Sequence, residues 1–342
     1  MNSEEEKYME RALGLAKLGI GSVSPNPMVG CVIVKDGLII GEGYHQQYGG
    51  PHAEVNAVNS VEDKLQIKGS DVYVSLEPCS HFGKTPPCAD LLVQHQPKKV
   101  IVCNVDPNPL VAGKGLEKLK KAGIEVITGV LEKQGLELNK RFFTSMTKQR
   151  PYIILKWAQT ADGFVARKNF DSKWISNQRS RQYVHKWRAE EDAILVGSNT
   201  AKHDNPTLNV RDWSGKNPTR IVIDRNMKLS PKLNLFDGTI PTLCFNLSKN
   251  EEQENLKYIQ LEEESFLKQV LEKLHENKLY SVIVEGGSQI LHSLIKEGLW
   301  DEARIFTSET MFGEGIPAPR ISGKLISKQP IHTDELKVYQ NL

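Results

Sequence analysis

At 342 residues the chain is longer than one compact core usually grows, so two domains are expected. Its 44 basic and 42 acidic residues, with 39% apolar and 25% charged residues, exclude an electrostatic case for nucleic acid or a membrane surface; an anionic ligand must be held by a local cluster. Five cysteines, an odd count in so long a chain, argue against a disulfide framework and for reduced thiols or metal ligation.

The start, "MNSEEEKYMERALGLAKLGIG", is acidic and amphipathic with no cleavable apolar core, and no run of about eighteen apolar residues occurs, so a cytoplasmic enzyme is expected. Ser3 and Glu6 have capping-box spacing, and Met9, Leu13 and Ala16 recur at helical intervals before Gly19, predicting a first helix. "MVGCVIV" and "LIIGEGYH" flank the tight-turn pair Asp36-Gly37 and predict a hairpin. There follow a helix at "HAEVNAV", the strand "DVYVSL", a helix from about Cys88, the strand "KKVIVCNV", the helical "GLEKLKKAG" and the strand "IEVITGV". One helix over "QGLELNKRFFTSMTKQRP" closes the unit before Pro151, which places domains at 1–147 and 148–342. The second half restarts with "YIILKWAQTADGFVA", a helix over roughly 177–190, and the strands "AILVGSN", "TRIVID" and "TLCFN". A lysine- and glutamate-rich helix around 262–277, "YSVIVEGGSQILHSLIKEGL" and "EARIFTS" complete it. Strand alternates with helix in both halves, which predicts two α/β domains, neither a repeat of the other.

Hydrolytic zinc sites use three protein ligands and leave one position for water. The candidates are His52, Cys79 and Cys88, with Cys79 after the strand "DVYVSL" and Cys88 opening the helix "CADLLVQH", where a helix N-terminus and a cation both favour thiolate. Residues two apart on a helix do not face the same way, so His52 is expected at the helix entry and Glu54 in the first turn. Glu54 then serves as the proton carrier rather than a fourth ligand. His-x-Glu followed by Pro-Cys and a second Cys is the zinc nucleobase-deaminase signature, but eight residues, Ser80 to Pro87, separate the cysteines where that signature has two. Two other readings compete. A nucleic-acid-editing zinc deaminase with an unrelated second domain would need a basic, aromatic-rich stripe that is missing here, and a structural zinc module without catalysis would need a fourth protein ligand. Cys31, Cys103 and Cys244 lie in apolar strands and are expected to pack as small hydrophobes.

With "SPNPMVGCVIVKDG", "HAEVNAV", "LEPCSHFGKTPPC", "DPNPLVAGKG", "LKWAQTADG", "DSKWIS", "DNPTL" and "VEGGS", nearly the whole chain resembles the bifunctional riboflavin-biosynthesis deaminase/reductase family, in which the long loop "SHFGKTPP" is characteristic. The resemblance implies a cytidine-deaminase-like three-layer domain followed by a dihydrofolate-reductase-like α/β domain. It implies hydrolytic deamination of 2,5-diamino-6-(5-phosphoribosylamino)pyrimidin-4-one, then NADPH reduction of the ribosyl group to ribityl. By resemblance, His52, Cys79 and Cys88 hold Zn2+, Glu54 shuttles protons, and Asn26, His45, Lys84, Asp106 and Asn108 contact the deaminase substrate. In the second half it implies NADPH contacts at Ala158, Trp174, Thr200, Asp204 and Gly287, and phosphoribosyl contacts at Lys156, Ser172, Arg188, Leu208, Arg211 and Glu285. Relatives commonly carry lysine or arginine after the "DG" of the first reductase strand, whereas this chain has Phe164. The resemblance further implies a small-molecule enzyme that forms a homo-oligomer.

Overall fold

The computed structural model describes residues 3–82, 86–108, 112–173 and 175–342. They form two compact units, Met1–Gln149 and Arg150–Leu342.

The first unit runs α1 (Ser3–Ala16), β1 (Gly30–Lys35), β2 (Leu38–Tyr44), α2 (Ala53–Ser60), β3 (Asp71–Leu76), α3 (Cys88–His95), β4 (Lys99–Asn104), α4 (Lys114–Lys121), β5 (Glu125–Thr128), α5 (Glu132–Leu138) and α6 (Lys140–Lys148). Its sheet has the order β2-β1-β3-β4-β5, antiparallel around β1 and parallel from β3 to β5. Asp36 and Gly37 both take positive φ, 50° and 78°, between the paired Lys35 and Leu38, the backbone that a twisted two-residue hairpin turn demands. The period of two divides the strands cleanly. Val32 and Val34 of β1 pack with Met9, Ala12 and Leu13 of α1, while Cys31 and Ile33 pack with Ala53, Ala57 and Val58 of α2 and Leu92 of α3. Three layers result. α2 lies so near β2 that a Cβ on Gly43 would stand 2.4 Å from the Ala57 nitrogen, so glycine is required there for the helix to seat.

The single closing helix expected from residue 134 onward is instead two, α5 and α6, broken at Asn139. The cause is a tertiary bond that periodicity does not reveal: the Asn139 side chain accepts from the Met28 N–H and donates to the Met28 carbonyl, each at 2.8 Å.

The second unit runs β6 (Tyr152–Gln159), β7 (Phe164–Ala166), α7 (Gln178–Glu190), β8 (Ala193–Gly197), α8 (Ser198–Asp204), β9 (Thr219–Ile223), β10 (Thr242–Asn246), β11 (Glu251–Gln253) and β12 (Leu256–Gln260). It continues with α9 (Phe266–Glu276), β13 (Ser281–Glu285), α10 (Ser288–Lys296), β14 (Glu302–Thr307), β15 (Ile316–Pro317), β16 (Lys324–Ile331) and β17 (Asp334–Gln340). The main sheet has the order β11-β12-β10-β9-β8-β13-β6-β14-β17-β16, parallel from β12 to β14 and antiparallel at both edges. Both faces are covered: Ile153, Leu155 and Trp157 of β6 enter one apolar cluster, Tyr152 and Ile154 the other. The helix expected over 262–277 starts only at Phe266. The strands β11, β12, β15, β16 and β17 and the short α8 lie outside the expected elements; β11 is wholly exposed and β16 nearly so, and neither alternates.

Replacing Asn139 with alanine leaves the buried Met28 N–H and C=O without partners, which costs about 1–3 kcal/mol per group. Asn139→Ala is therefore expected to lower the urea midpoint of the full-length chain clearly, whereas an exposed control such as Lys121→Ala leaves it in place.

Candidate active sites

Pro51 precedes the N-terminus of α2, and His52 is its cap residue, with extended backbone (φ −72°, ψ 167°), so its ring leaves the helix axis while Glu54 turns inward within the first turn. Cys79 follows β3, and Cys88 opens α3, where its N–H donates to the Cys79 sulfur at 3.3 Å and the Ala89 N–H donates to the Cys79 carbonyl at 3.0 Å. His52 Nδ1 lies 3.6 Å from Cys79 Sγ and 3.4 Å from Cys88 Sγ, and the three ligand atoms fall within 4.8 Å of one another. Zinc bonds of about 2.3 Å to sulfur and about 2.05 Å to nitrogen at tetrahedral angles require an N···S separation of about 3.6 Å, so both N···S separations of the donor set fit Zn2+ to within about 0.2 Å. It is the one such group of three among the described residues.

The electrostatics suit a cation. Cys79 is held low by the hydrogen bond from the Cys88 thiol and by the His52 ring, while Cys88 is driven up by the same bond and by burial. The proton thus sits on Cys88 and points to Cys79, and binding a metal there would require its loss. His52 is raised by its bond to Cys79 against its own burial. Glu54, 3% exposed, is pushed up to about 7, first by burial and then by the neighbouring Cys79 charge.

His45 stands edge-on to His52, ring centroids 5.4 Å apart. Its Nδ1 faces the Pro51 carbonyl at 3.0 Å, which can only accept, so Nδ1 carries the proton and Nε2 accepts from Asn26 Nδ2 at 3.1 Å. Burial, with His52 adding to it, lowers the His45 pKa and keeps the ring neutral. Asp106 is 9% exposed, accepts from the Asn108 N–H at 2.8 Å, and is raised to about 6, chiefly by burial. The sequence reading passed over Glu77, which is 4% exposed. One of its oxygens accepts from the N–H groups of Asp106 (3.3 Å) and Gly113 (3.0 Å), the other from that of Gly115 (3.0 Å). It ties the segment bearing Asp106 and Asn108 to the end of β3; its only sequence signal was its place just before Pro78-Cys79. Lys84 and Trp174 lie outside the described residues.

In the second unit a cavity of about 1230 Å³ is lined by Lys156, Ala158, Ser172, Arg188, Thr200, Asp204, Leu208, Arg211, Glu285 and Gly287, which is every described candidate of that half. Phe164 is not among its lining residues; it pairs with Pro317 across β7 and β15. Arg188 does not lie on a solvated helix face: Nε and Nη2 donate to the two Glu285 oxygens at 2.8 and 2.9 Å, and Nη1 to the Asn209 carbonyl at 3.1 Å. Lys156 Nζ is 3.6 Å from Glu285 Oε2. Burial would raise Glu285, but Arg188 and Lys156 outweigh it and bring the carboxyl down to about 2. Burial also lowers Lys156, partly offset by Glu285. Asp204 is raised by burial against the pull of Lys173, and the Ser172 hydroxyl bonds it. Gly286 and Gly287 take φ of 94° and 80° ahead of α10, and a Cβ on Gly286 would come 3.2 Å from Thr200 Oγ1, so the turn that brings this helix start to the cavity wall favours glycine.

Comparison with known proteins covers both halves. The model of the cytidine and deoxycytidylate deaminase zinc-binding region matches residues 2–104, and that of the RibD C-terminal domain matches residues 151–340. The chain is 45% identical over 319 residues to riboflavin biosynthesis protein RibD of Aquifex aeolicus, covering 91% of this chain and 89% of that protein. It is 37% identical over 329 residues to RibD of Escherichia coli, covering 91% and 89%. The crystal structure of a diaminohydroxyphosphoribosylaminopyrimidine deaminase/5-amino-6-(5-phosphoribosylamino)uracil reductase from Thermotoga maritima superposes with a TM-score of 0.91 at 38% identity, over 99% of each chain. The fold is thus a cytidine-deaminase-like domain followed by a RibD reductase domain of the dihydrofolate-reductase type, and a second half unrelated to the first domain's relatives is ruled out.

Removing one sulfur should empty the metal position while sparing the fold. Cys88→Ser is expected to lower zinc per chain more than about tenfold by plasma mass spectrometry, with an unchanged circular dichroism spectrum.

Proposed function

This chain belongs to the RibD family of riboflavin biosynthesis proteins, and from that premise we propose that it is a bifunctional enzyme acting twice on one phosphoribosylated pyrimidine. The first reaction is hydrolytic deamination of 2,5-diamino-6-(5-phosphoribosylamino)pyrimidin-4-one, by residues 1–147. The second is NADPH reduction of the ribosyl group of 5-amino-6-(5-phosphoribosylamino)uracil to ribityl, by residues 148–342. The observation that carries the deaminase reading is a buried carboxyl group, Glu54, two residues beyond the cap histidine of a three-donor metal position with no fourth protein ligand among the described residues. A structural zinc module would be closed by four.

When bound by His52, Cys79 and Cys88, zinc supplies a Lewis acid that brings a water's acidity near neutral. Glu54 would take one proton from the attacking water and give it to the ring nitrogen, then carry the proton of the newly added hydroxyl to the departing amine, so that ammonia leaves and a carbonyl oxygen takes its place. Its burial excludes bulk water from these transfers. Asn26 and His45 act as one hydrogen-bonded unit on the edge of the pyrimidine: with His45 Nε2 accepting, one Asn26 amide hydrogen and its oxygen remain for the ring. Asp106 and Asn108 add acceptor and donor groups from the loop that Glu77 ties down.

In the reductase the nicotinamide supplies the hydride. The chain contributes charge and placement: Arg188, Arg211 and Lys156 suit the sugar phosphate, and guanidinium binds phosphate through paired N–H bonds. Three Arg188 N–H groups are already used, so Arg188 is pre-oriented and one N–H on each terminal nitrogen remains for a ligand. Ala158, Thr200, Asp204 and the Gly287 turn suit the cofactor, whose pyrophosphate matches the start of α10. The candidate role of Trp174, and that of Lys84 in the deaminase, rest on the sequence motifs alone.

Near-neutral charge and the absence of a helix long and apolar enough to cross a membrane, among the described residues, fit a small-molecule enzyme of the cytoplasm. A homo-oligomer completes the reading.

Glu54→Gln keeps shape and metal ligands but removes the proton carrier, so ammonia release should fall by at least about 10²-fold. NADPH oxidation by the same variant, supplied with the deaminated intermediate, should match the unmodified chain. Loss of both activities in a folded, zinc-loaded variant would refute the assignment of the two reactions to two separate sites.

A further inference from the structure

The face of α7 that meets the cavity carries Arg181, His185 and Arg188 at helical spacing. His185 is 2% exposed and feels the charges of Arg188 and Arg211, yet none of the roles above uses it. Its Nδ1 accepts from the Arg211 backbone N–H at 3.4 Å, and its Nε2 lies 3.4 Å from Asp212 Oδ2. An amide N–H can only donate, so Nδ1 is bare and Nε2 carries the proton toward Asp212. The segment from Leu208 to Asp212 is thereby tied to α7 at two backbone points, the Asn209 carbonyl through Arg188 and the Arg211 N–H through His185. A further bond from Arg211 Nη1 to Asn209 Oδ1, at 3.3 Å, lies within the segment itself. Burial, followed by the charges of Arg188 and Arg211, pushes His185 down to about 4, so its acceptor persists at neutral pH.

We infer that His185 is a positioning residue of the reductase: by accepting from the Arg211 N–H it fixes the backbone of the Leu208–Asp212 segment, and so holds the Arg211 side chain in the cavity that Arg188 also lines, where the two bind the substrate's phosphate. The inference rests on the reductase reading above. A residue acting only through a phosphate-binding arginine sets affinity for the phosphorylated sugar and leaves hydride transfer, cofactor affinity and ammonia release unchanged.

Two polar substitutions separate the two ring contacts. Asparagine at 185 places its carbonyl oxygen near the position of Nδ1, whereas glutamine places its amide near that of Nε2. With 5-amino-6-(5-phosphoribosylamino)uracil and NADPH, His185→Gln is expected to raise KM for the pyrimidine about tenfold, the scale of one hydrogen bond, with kcat and KM for NADPH within about twofold. His185→Asn should recover most of that loss. His185→Gln combined with Arg211→Ala should be no worse than Arg211→Ala alone, because one acts through the other. Equal KM values for the His185→Gln variant and the unmodified chain, a loss confined to kcat, failure of His185→Asn to rescue, or additivity with Arg211→Ala would each overturn the inference. Should the unmodified chain itself fail to oxidise NADPH with this substrate, the reductase reading fails rather than the role of His185.

Discussion

The deaminase half depends on one geometric constraint: an imidazole and two sulfurs from separated parts of the chain must meet at a point, with no fourth protein ligand among the described residues. The chain meets it by bringing two helix starts to one place. His52 caps α2 and Cys88 opens α3, and the Cys88 N–H fixes the Cys79 sulfur between them. Helix starts favour anionic ligands and thiolate, so the backbone itself supports the charge state that metal binding requires. The tight seat of α2 over Gly41 and Gly43 then carries a second function, since it fixes the helix whose first turn bears Glu54.

The reductase half solves a different electrostatic problem. Its cavity gathers arginine and lysine side chains without a metal to balance, and buried cations with no partner would be costly. Glu285 at the end of β13 offsets that cost by accepting both forks of Arg188 and the charge of Lys156, which leaves it ionised far below the usual carboxylate range. Breaking such a pair from one side strands the remaining charge, so Glu285 is a structural keystone of the cavity. The neutral His185 follows the same logic, because a further positive charge near Arg188 and Arg211 would be repelled by both.

Much of this was legible in the sequence because each signal was local. The Asp36-Gly37 turn, the helix start at His52, the strand-loop-helix setting of Cys79 and Cys88, and the alternation of strand and helix all depend on neighbours within a few residues. What the sequence hid was set by distant partners. Asn139 breaks a helix through bonds to Met28, 111 residues away. Glu77 looks like any residue at a strand end until its three backbone donors are seen, and His185 looks like part of a solvated helix face. The exposed strands β11 and β16 carry no hydrophobic alternation, and the pairing that makes them strands comes from β12 and β17. Motif resemblance, not periodicity, singled out the reductase residues, and the cavity is where those scattered positions meet.

Zinc K-edge X-ray absorption on the purified full-length chain tests the central claim most directly, since it reads the ligand set itself. The account predicts two sulfur neighbours at about 2.3 Å and a single imidazole nitrogen at about 2.0 Å. A third sulfur or a second imidazole in the shell, which would close the site, or folded and active protein that binds no zinc at all, would contradict it.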